Sequence, residues 1–154
     1  MKPMNIGTLA TLLGTMLLLA SVMAPSARAQ ELTRISVSIS GELSQIGDPN
    51  VRIFIGAFAI GDPNQLTGRG ANSVSIGDPT LFPPDPCIWT LTGAVEPDTF
   101  VARLAGSTTA CVNARFVGAF VSLIADPRTG EIAFSLGDFQ FTGVGNVVVG
   151  SPNI

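Results

Sequence analysis

Hydrophobic and polar residues alternate along several stretches of this chain with a period of two residues. Ile35, Val37 and Ile39 alternate with serines, a pattern typical of a strand with one buried and one solvated face. Trp89 and Leu91 alternate with threonines in the same way. Little helical spacing occurs beyond residue 30, and glycine and proline interrupt the sequence every few residues. The pattern predicts an all-β chain of about seven or eight strands.

Two stretches, residues 51–60 and 115–124, are apolar on both faces. Such a strand needs cover on its second face, from a second sheet, a neighbouring subunit or an apolar ligand inside a barrel. Short connections favour antiparallel neighbours, and Asp126–Gly130 has the composition of a hairpin turn. We therefore expect an antiparallel, hairpin-rich sandwich or a small flattened barrel. A change of phase at Gly137-Asp138 predicts a β-bulge.

The first 29 residues have the anatomy of a secretory signal peptide. Lys2 precedes an uncharged, leucine-rich stretch over residues 6–22, and Ala27-Arg28-Ala29 provides a small-x-small cleavage site. The alternative is an uncleaved membrane anchor, but the apolar stretch is short for a span. We expect cleavage after Ala29 and a single all-β domain over residues 30–154, without a transmembrane anchor. The protein is then exported, to the cell exterior or the periplasm.

The composition of the mature chain excludes several kinds of chemistry. Removal of residues 1–29 from the 154-residue chain leaves 125 residues with six arginines, eleven acidic residues and a net charge of −5. This acidic balance argues against nucleic-acid binding. The mature chain has no lysine, histidine, methionine or tyrosine. It therefore lacks the residues for Ser-His-Asp or Cys-His catalysis, imidazole metal ligation, a Schiff base or a phosphate-binding P-loop. We expect no cofactor.

Cys87 and Cys111 are the two cysteines of the chain. An even pair in an exported protein is typical of a structural disulfide. Closing a loop of about 25 residues would stabilise the fold by roughly 3 kcal/mol in the chain-entropy description. A reactive thiol or a metal site is the alternative, but neither has an activating histidine or lysine nearby.

The tetrapeptide Ile-Gly-Asp-Pro occurs three times, at residues 46–49, 60–63 and 76–79. One hypothesis is that Asp48, Asp62 and Asp78 supply oxygen ligands to a calcium ion. The other is that each repeat is a strand-ending turn, in which proline fixes φ and aspartate accepts a backbone hydrogen bond. We favour turns because consecutive hairpin turns lie at opposite ends of a sheet, so we expect no metal site.

Two function classes remain open, with a weaker third. The first is a non-catalytic binding or structural module whose partner is an apolar small molecule, a protein or a second copy of the chain. For an apolar ligand, four phenylalanines would line a dry cavity and the single tryptophan would report its occupancy. These residues are Phe54, Phe58, Trp89, Phe116 and Phe120.

The alternative class is a carbohydrate-active or metal-assisted enzyme that uses only carboxylates. The candidate carboxylates are Glu42, Glu96, Asp98, Glu131 and Asp138. The test that separates the classes is whether two carboxylates converge in one concave pocket. The third option, a small outer-membrane β-barrel, is weaker because the mature chain lacks the tyrosines of an aromatic girdle.

Overall fold

The computed structural model describes residues 34–76 and 86–151, so the expected signal peptide lies outside the described residues. These ranges form nine strands and one 3-10 turn, at Ala114–Phe116. They contain no helix with the length and apolarity needed to cross a membrane. The strands are β1 Ile35–Gln45, β2 Asp48–Asp62, β3 Gln65–Ile76, β4 Cys87–Val95, β5 Ala102–Cys111, β6 Phe120–Ala125, β7 Glu131–Leu136, β8 Phe139–Val144 and β9 Asn146–Gly150.

The first eight strands form a closed antiparallel barrel, and β9 is an additional strand. Each strand pairs with the next in sequence from β1 to β8, and β1 closes the ring by pairing with β8, where Ser44 lies opposite Thr142. β9 pairs with the other half of β1, where Ser40 lies opposite Asn146. From the first pair to the second, the position moves four residues back along β1 and four residues forward from β8 into β9. β9 therefore continues β8 in the same register. The predicted all-β class is confirmed, and the architecture is the barrel.

The barrel interior is filled by side chains from alternate positions of the strands. Trp89 is fully buried, with its ring centroid 5.3 Å from that of Phe134. The indole Nε1–H donates to Oδ1 of Asn72 at 3.0 Å, which satisfies the polar atom of this large side chain. Gly70 makes room for the ring, because a Cβ there would overlap Cζ3 of Trp89. The alternation predicted for Trp89 and Leu91 is confirmed, since both face the core.

Two predicted strand features differ from the structure. The strand expected over residues 115–124 begins only at Phe120, because the preceding residues form a loop held by the buried Thr108 hydroxyl. That hydroxyl accepts from the Ala119 N–H at 3.0 Å and donates to the Phe116 carbonyl oxygen. The bulge predicted at Gly137-Asp138 is wrong. These residues form the two-residue turn of the β7–β8 hairpin, so the phase changes because the chain reverses.

Two turns at one end of the barrel share a hydrogen-bond pattern. In both Asp126–Glu131 and Glu96–Val101, the fifth residue donates its N–H to the first residue's carbonyl oxygen at 2.8 Å. The fifth residue is Gly130, with φ of +74°, in one turn and Phe100, with φ of +59°, in the other. The predicted turn at Asp126–Gly130 is confirmed.

The disulfide is confirmed between Cys87 and Cys111, which lie directly opposite each other in β4 and β5. The bond ties the start of β4 to the end of β5, where the loop before β6 begins. It is consistent with an oxidising, exported environment.

Candidate functional site

The first two Ile-Gly-Asp-Pro repeats are turns at opposite ends of β2. Oδ1 of Asp48 accepts the Asn50 N–H at 3.1 Å, and Oδ1 of Asp62 accepts the Asn64 N–H at 3.5 Å. At about 3.3 Å per residue, the length of β2 separates the two aspartates by roughly 45 Å. They therefore cannot share an ion. Asp78 lies outside the described residues, within which no group of three or more potential ligands could hold a metal.

The candidate carboxylates are dispersed over the barrel surface. Glu42 forms an ion pair with Arg52 at 3.3 Å. Glu96 accepts from Nε of Arg103 at 2.6 Å and from the Thr99 hydroxyl at 2.8 Å, and these two bonds lower the pKa of its carboxyl. Two further candidates, Asp98 and Asp138, lie in turns at opposite ends of the barrel. Glu96 and Asp98 belong to the same turn, whereas Glu42 and Asp138 lie elsewhere on the surface.

One groove brings two carboxylates together, and an arginine holds one of them. This wall groove of about 550 Å³ lies on the outer face of β6, β7 and β8, and it includes Asp126 and Glu131. Arg128 donates to both carboxylate oxygens of Asp126 and lowers its pKa, so Asp126 is a poor proton donor. The rest of the lining is Val101, Ile124, Ile132, Ala133, Thr142, Gly143 and Val144.

The aromatic residues considered for an apolar site do not lie together. Trp89 is inside the barrel, whereas Phe54 and Phe58 point outward from β2 and are about half exposed, at 49% and 51%. Phe120 points outward from β6, and Phe116 lies in the 3-10 turn. These side chains therefore do not line one interior cavity, and their part in a ligand site or interface stays a prediction.

Seven outward residues in the middle of β1, β2 and β9 form an uncharged surface, which we call the serine–phenylalanine face. Across the sheet, Phe58 lies beside Ser38, and Ser38 lies beside Val148. A shallow groove of about 440 Å³ starts at Ser38 and Ser40, passes beside Phe58 and reaches Arg69 on β3. The face consists of Ser36, Ser38, Ser40, Phe54, Gly56, Phe58 and Val148.

Charged residues lie along the border of this face, and one of them, Arg69, lines the shallow groove. Arg69 of β3 lies opposite Phe58, on the side away from β9. Glu42 and Arg52 lie at one end and pair with each other. On the side toward β9 the face meets Asn146–Gly150, a strand that contains no charged residue.

The serine–phenylalanine face ends at the free edge of β9. In the strand order, β9 has β1 as its single neighbour. The turn before β7 reaches β9 at its beginning, where the Gly145 N–H donates to the Gly130 carbonyl oxygen at 2.9 Å. Beyond that bond, and within the described residues, the outer edge of Asn146–Gly150 has no paired strand.

The sequence contains one signal for this face that our prediction did not use. Arg52, Phe54 and Phe58 occupy positions of the same parity in β2, and an arginine at one of them indicates the solvent side.

Comparison of the chain with protein-family models, curated proteins and solved structures finds no match.

Proposed function

We propose that the protein is a small, exported, non-catalytic module that associates with a second copy of itself through the outer wall of the barrel. The observation that supports this most is the position of Phe54, Phe58 and Val148. These large apolar side chains are about half exposed on one uncharged face, whereas the barrel interior is filled. Exposed apolar patches of this kind are typical of interaction sites. The expected signal peptide and the disulfide support a location outside the cell or in the periplasm.

The filled interior favours a macromolecular partner over a small apolar ligand. Small-molecule sites are concave and bury most of the ligand surface. Trp89, Phe134 and Phe141 pack against one another where such a ligand would lie. The grooves on the outer wall are open to solvent on one side, so a small molecule bound there would keep much of its surface in water. A second protein surface would cover such a wall.

The charge distribution allows a second copy as the partner. The mature chain carries a net charge of −5, so two copies repel each other where acidic residues are exposed. The serine–phenylalanine face has no charged residue; at one end of it Glu42 forms an ion pair with Arg52, and the acid at its other end is Asp62. Two copies can therefore approach through this face without bringing acids together, and its phenylalanines are residues enriched in protein interfaces.

The burial pattern also bears on the outer-membrane alternative. Transmembrane barrels present a continuous apolar band to lipid and have polar interiors. Here the interior positions are apolar, and serines, threonines and arginines share the outer wall with the exposed phenylalanines. This arrangement favours a barrel that folds in water.

Sedimentation equilibrium of the purified exported protein tests the proposal over a range of concentrations and at two salt concentrations. We expect a monomer–dimer equilibrium that added salt leaves unchanged or strengthens, because the contact is uncharged and apolar. A monomer at every concentration would overturn the proposal. A dimer that dissociates as salt is raised would also overturn it, since the contact would then depend on the charged turns.

A titration with a fatty acid provides the control for interior binding. If association uses the outer wall, the emission of Trp89 stays unchanged while the fatty acid is added. A saturable change in Trp89 emission would instead support an apolar ligand inside the barrel.

A further inference from the structure

We infer that two copies join edge to edge, with β9 of one copy pairing antiparallel to β9 of the other around a twofold axis at Val148. The inference rests on the proposed self-association and places its contact at the β9 border of the serine–phenylalanine face, so that Val148 lies at the contact while Phe54 and Phe58, on β2, remain outside the shared ladder. The two barrels would then share one continuous sheet, running from β1 and β9 of one copy into β9 and β1 of the second.

The free edge of β9 is the structural basis of this inference. A strand with one neighbour presents every second N–H and C=O group on its open side. Along Asn146–Gly150 that open side has no strand partner among the described residues. β9 is five residues long, which is a usual length for a strand, so it can form a regular ladder with a second strand.

The sequence of β9 lacks the features that usually protect an edge. Natural proteins place lysines, other charges or prolines on exposed edge strands to prevent pairing. β9 reads Asn-Val-Val-Val-Gly and contains neither a charge nor a proline. Its outward valine, Val148, is 52% exposed, whereas Val147 faces the core and is 9% exposed. This strand is therefore suited to pairing with another uncharged, β-branched strand.

A second copy of β9 has the complementary side chains. In an antiparallel pair centred on Val148, that residue lies opposite itself and Val147 lies opposite Val149 of the second copy. β-branched residues that face each other across strands stabilise a sheet. The next strand inward, β1, presents Ser38 beside Val148, so no like charges meet near the axis.

Substitution by lysine at two matched valines tests the edge contact. Val148→Lys places two ammonium groups against each other at the axis, so we expect the dimer dissociation constant to rise at least about tenfold. Val144→Lys is the control, because Val144 is also outward and even more exposed, at 68%. It lies in β8, which has strand partners on both sides, so this variant should dimerise like the natural protein. Trp89 emission and thermal unfolding confirm that both variants are folded.

Cysteine substitution gives a positive signal for the same geometry. Paired residues across antiparallel strands have Cβ atoms about 4.5–5.5 Å apart, close enough for a disulfide after a small adjustment. Val148→Cys should therefore form a dimer linked by a disulfide under air oxidation, and Val144→Cys should not.

The outcomes separate this inference from the proposed function. If the natural protein dimerises, Val148→Lys does not weaken the dimer and Val148→Cys does not cross-link, then the edge geometry is wrong and self-association stands. If Phe58→Ser abolishes the dimer while Val148→Lys does not, the copies associate face to face instead. If the natural protein is monomeric throughout, both the function and the edge geometry are overturned.

Discussion

Replacement of Gly70 by alanine tests the packing at the centre of the barrel. The added methyl group would have to share space with the indole, since a Cβ at this position overlaps Cζ3 and Cη2 of Trp89. Trp89 is fully buried, so the ring cannot move into solvent without opening the barrel. We therefore expect Gly70→Ala to destabilise the fold strongly.

The magnitude follows from two costs. Overpacking a well-filled core costs about 1–3 kcal/mol. Displacing the indole also breaks the 3.0 Å bond from Nε1 to Asn72 Oδ1, and leaving such a buried group unpaired costs about 1–3 kcal/mol. The free energy of unfolding should thus fall by roughly 2–6 kcal/mol, a large share of the roughly 5–15 kcal/mol typical of a small domain.

Gly56→Ala is the matched control, because Gly56 lies in the adjacent strand and a Cβ there has nothing within 4 Å. Alanine is better than glycine within a strand by about 0.5–1 kcal/mol, so this variant should be unchanged or slightly more stable. Chemical denaturation followed by the emission of Trp89, the one tryptophan of the chain, measures both variants. Equal denaturation midpoints for Gly70→Ala and the natural protein, with unchanged emission, would refute the packing of Trp89 on Gly70.

Three further predictions concern the disulfide, a turn and a surface carboxyl. Replacement of both cysteines by alanine should lower the free energy of unfolding by about 2–4 kcal/mol and leave dimerisation intact; a free, alkylatable thiol in the natural exported protein would contradict the structural role. Gly130→Ala should lower the free energy of unfolding by about 1–2 kcal/mol, because φ is +74° and the added Cβ would lie 2.7 Å from the Gly145 carbonyl oxygen. Thermal or chemical unfolding measures this change, and an unchanged midpoint would argue against this turn conformation. The hydrogen bond from Arg103 is the main cause that lowers the pKa of Glu96 below 4.5. The ionised carboxyl therefore stabilises the fold at pH values above 4.5, and this stabilisation is lost as the pH falls through the folded-state pKa. Arg103→Ala should therefore raise the pKa of Glu96 in an NMR titration, and no change would mean that the bond is absent in solution.

The features that depend on local chemistry could be predicted from the sequence. The alternation at Trp89 and Leu91 marked a strand with one buried face, because side chains point to opposite faces with a period of two. The turn at Asp126–Gly130 and the Cys87–Cys111 disulfide followed from residue type and number. These predictions needed no knowledge of which strands are neighbours.

The closure of the barrel depends on contacts between distant parts of the chain, which the pattern does not contain. β1 pairs with β2 along one side and with β8 and β9 along the other. A sandwich built from the same strands would show the same alternation, so the sequence left both architectures open. The free edge of β9 follows from this closure and could not be predicted without it.

The candidate site was only partly predictable for a related reason. Phe54 and Phe58 were chosen because their stretch is apolar on both faces, and the sequence alone did not show which face is solvated. The presence of Arg52 at the same parity was the available signal. Phe116 and Phe120 were assigned to one strand, but the hydrogen bonds of the Thr108 hydroxyl hold the residues before Phe120 in a loop, so that strand begins late.

Backbone amide exchange of the exported protein, measured at one concentration below and one above the dimer midpoint, tests whether two copies join through β9. Alternate amides of Asn146–Gly150 should become protected at the higher concentration, because those N–H groups then donate to the second copy. Amides around Trp89, inside the filled barrel, should be equally protected at both concentrations. Protection that appears along β6–β8 instead, or no concentration dependence in β9, would contradict association through the free edge of the barrel.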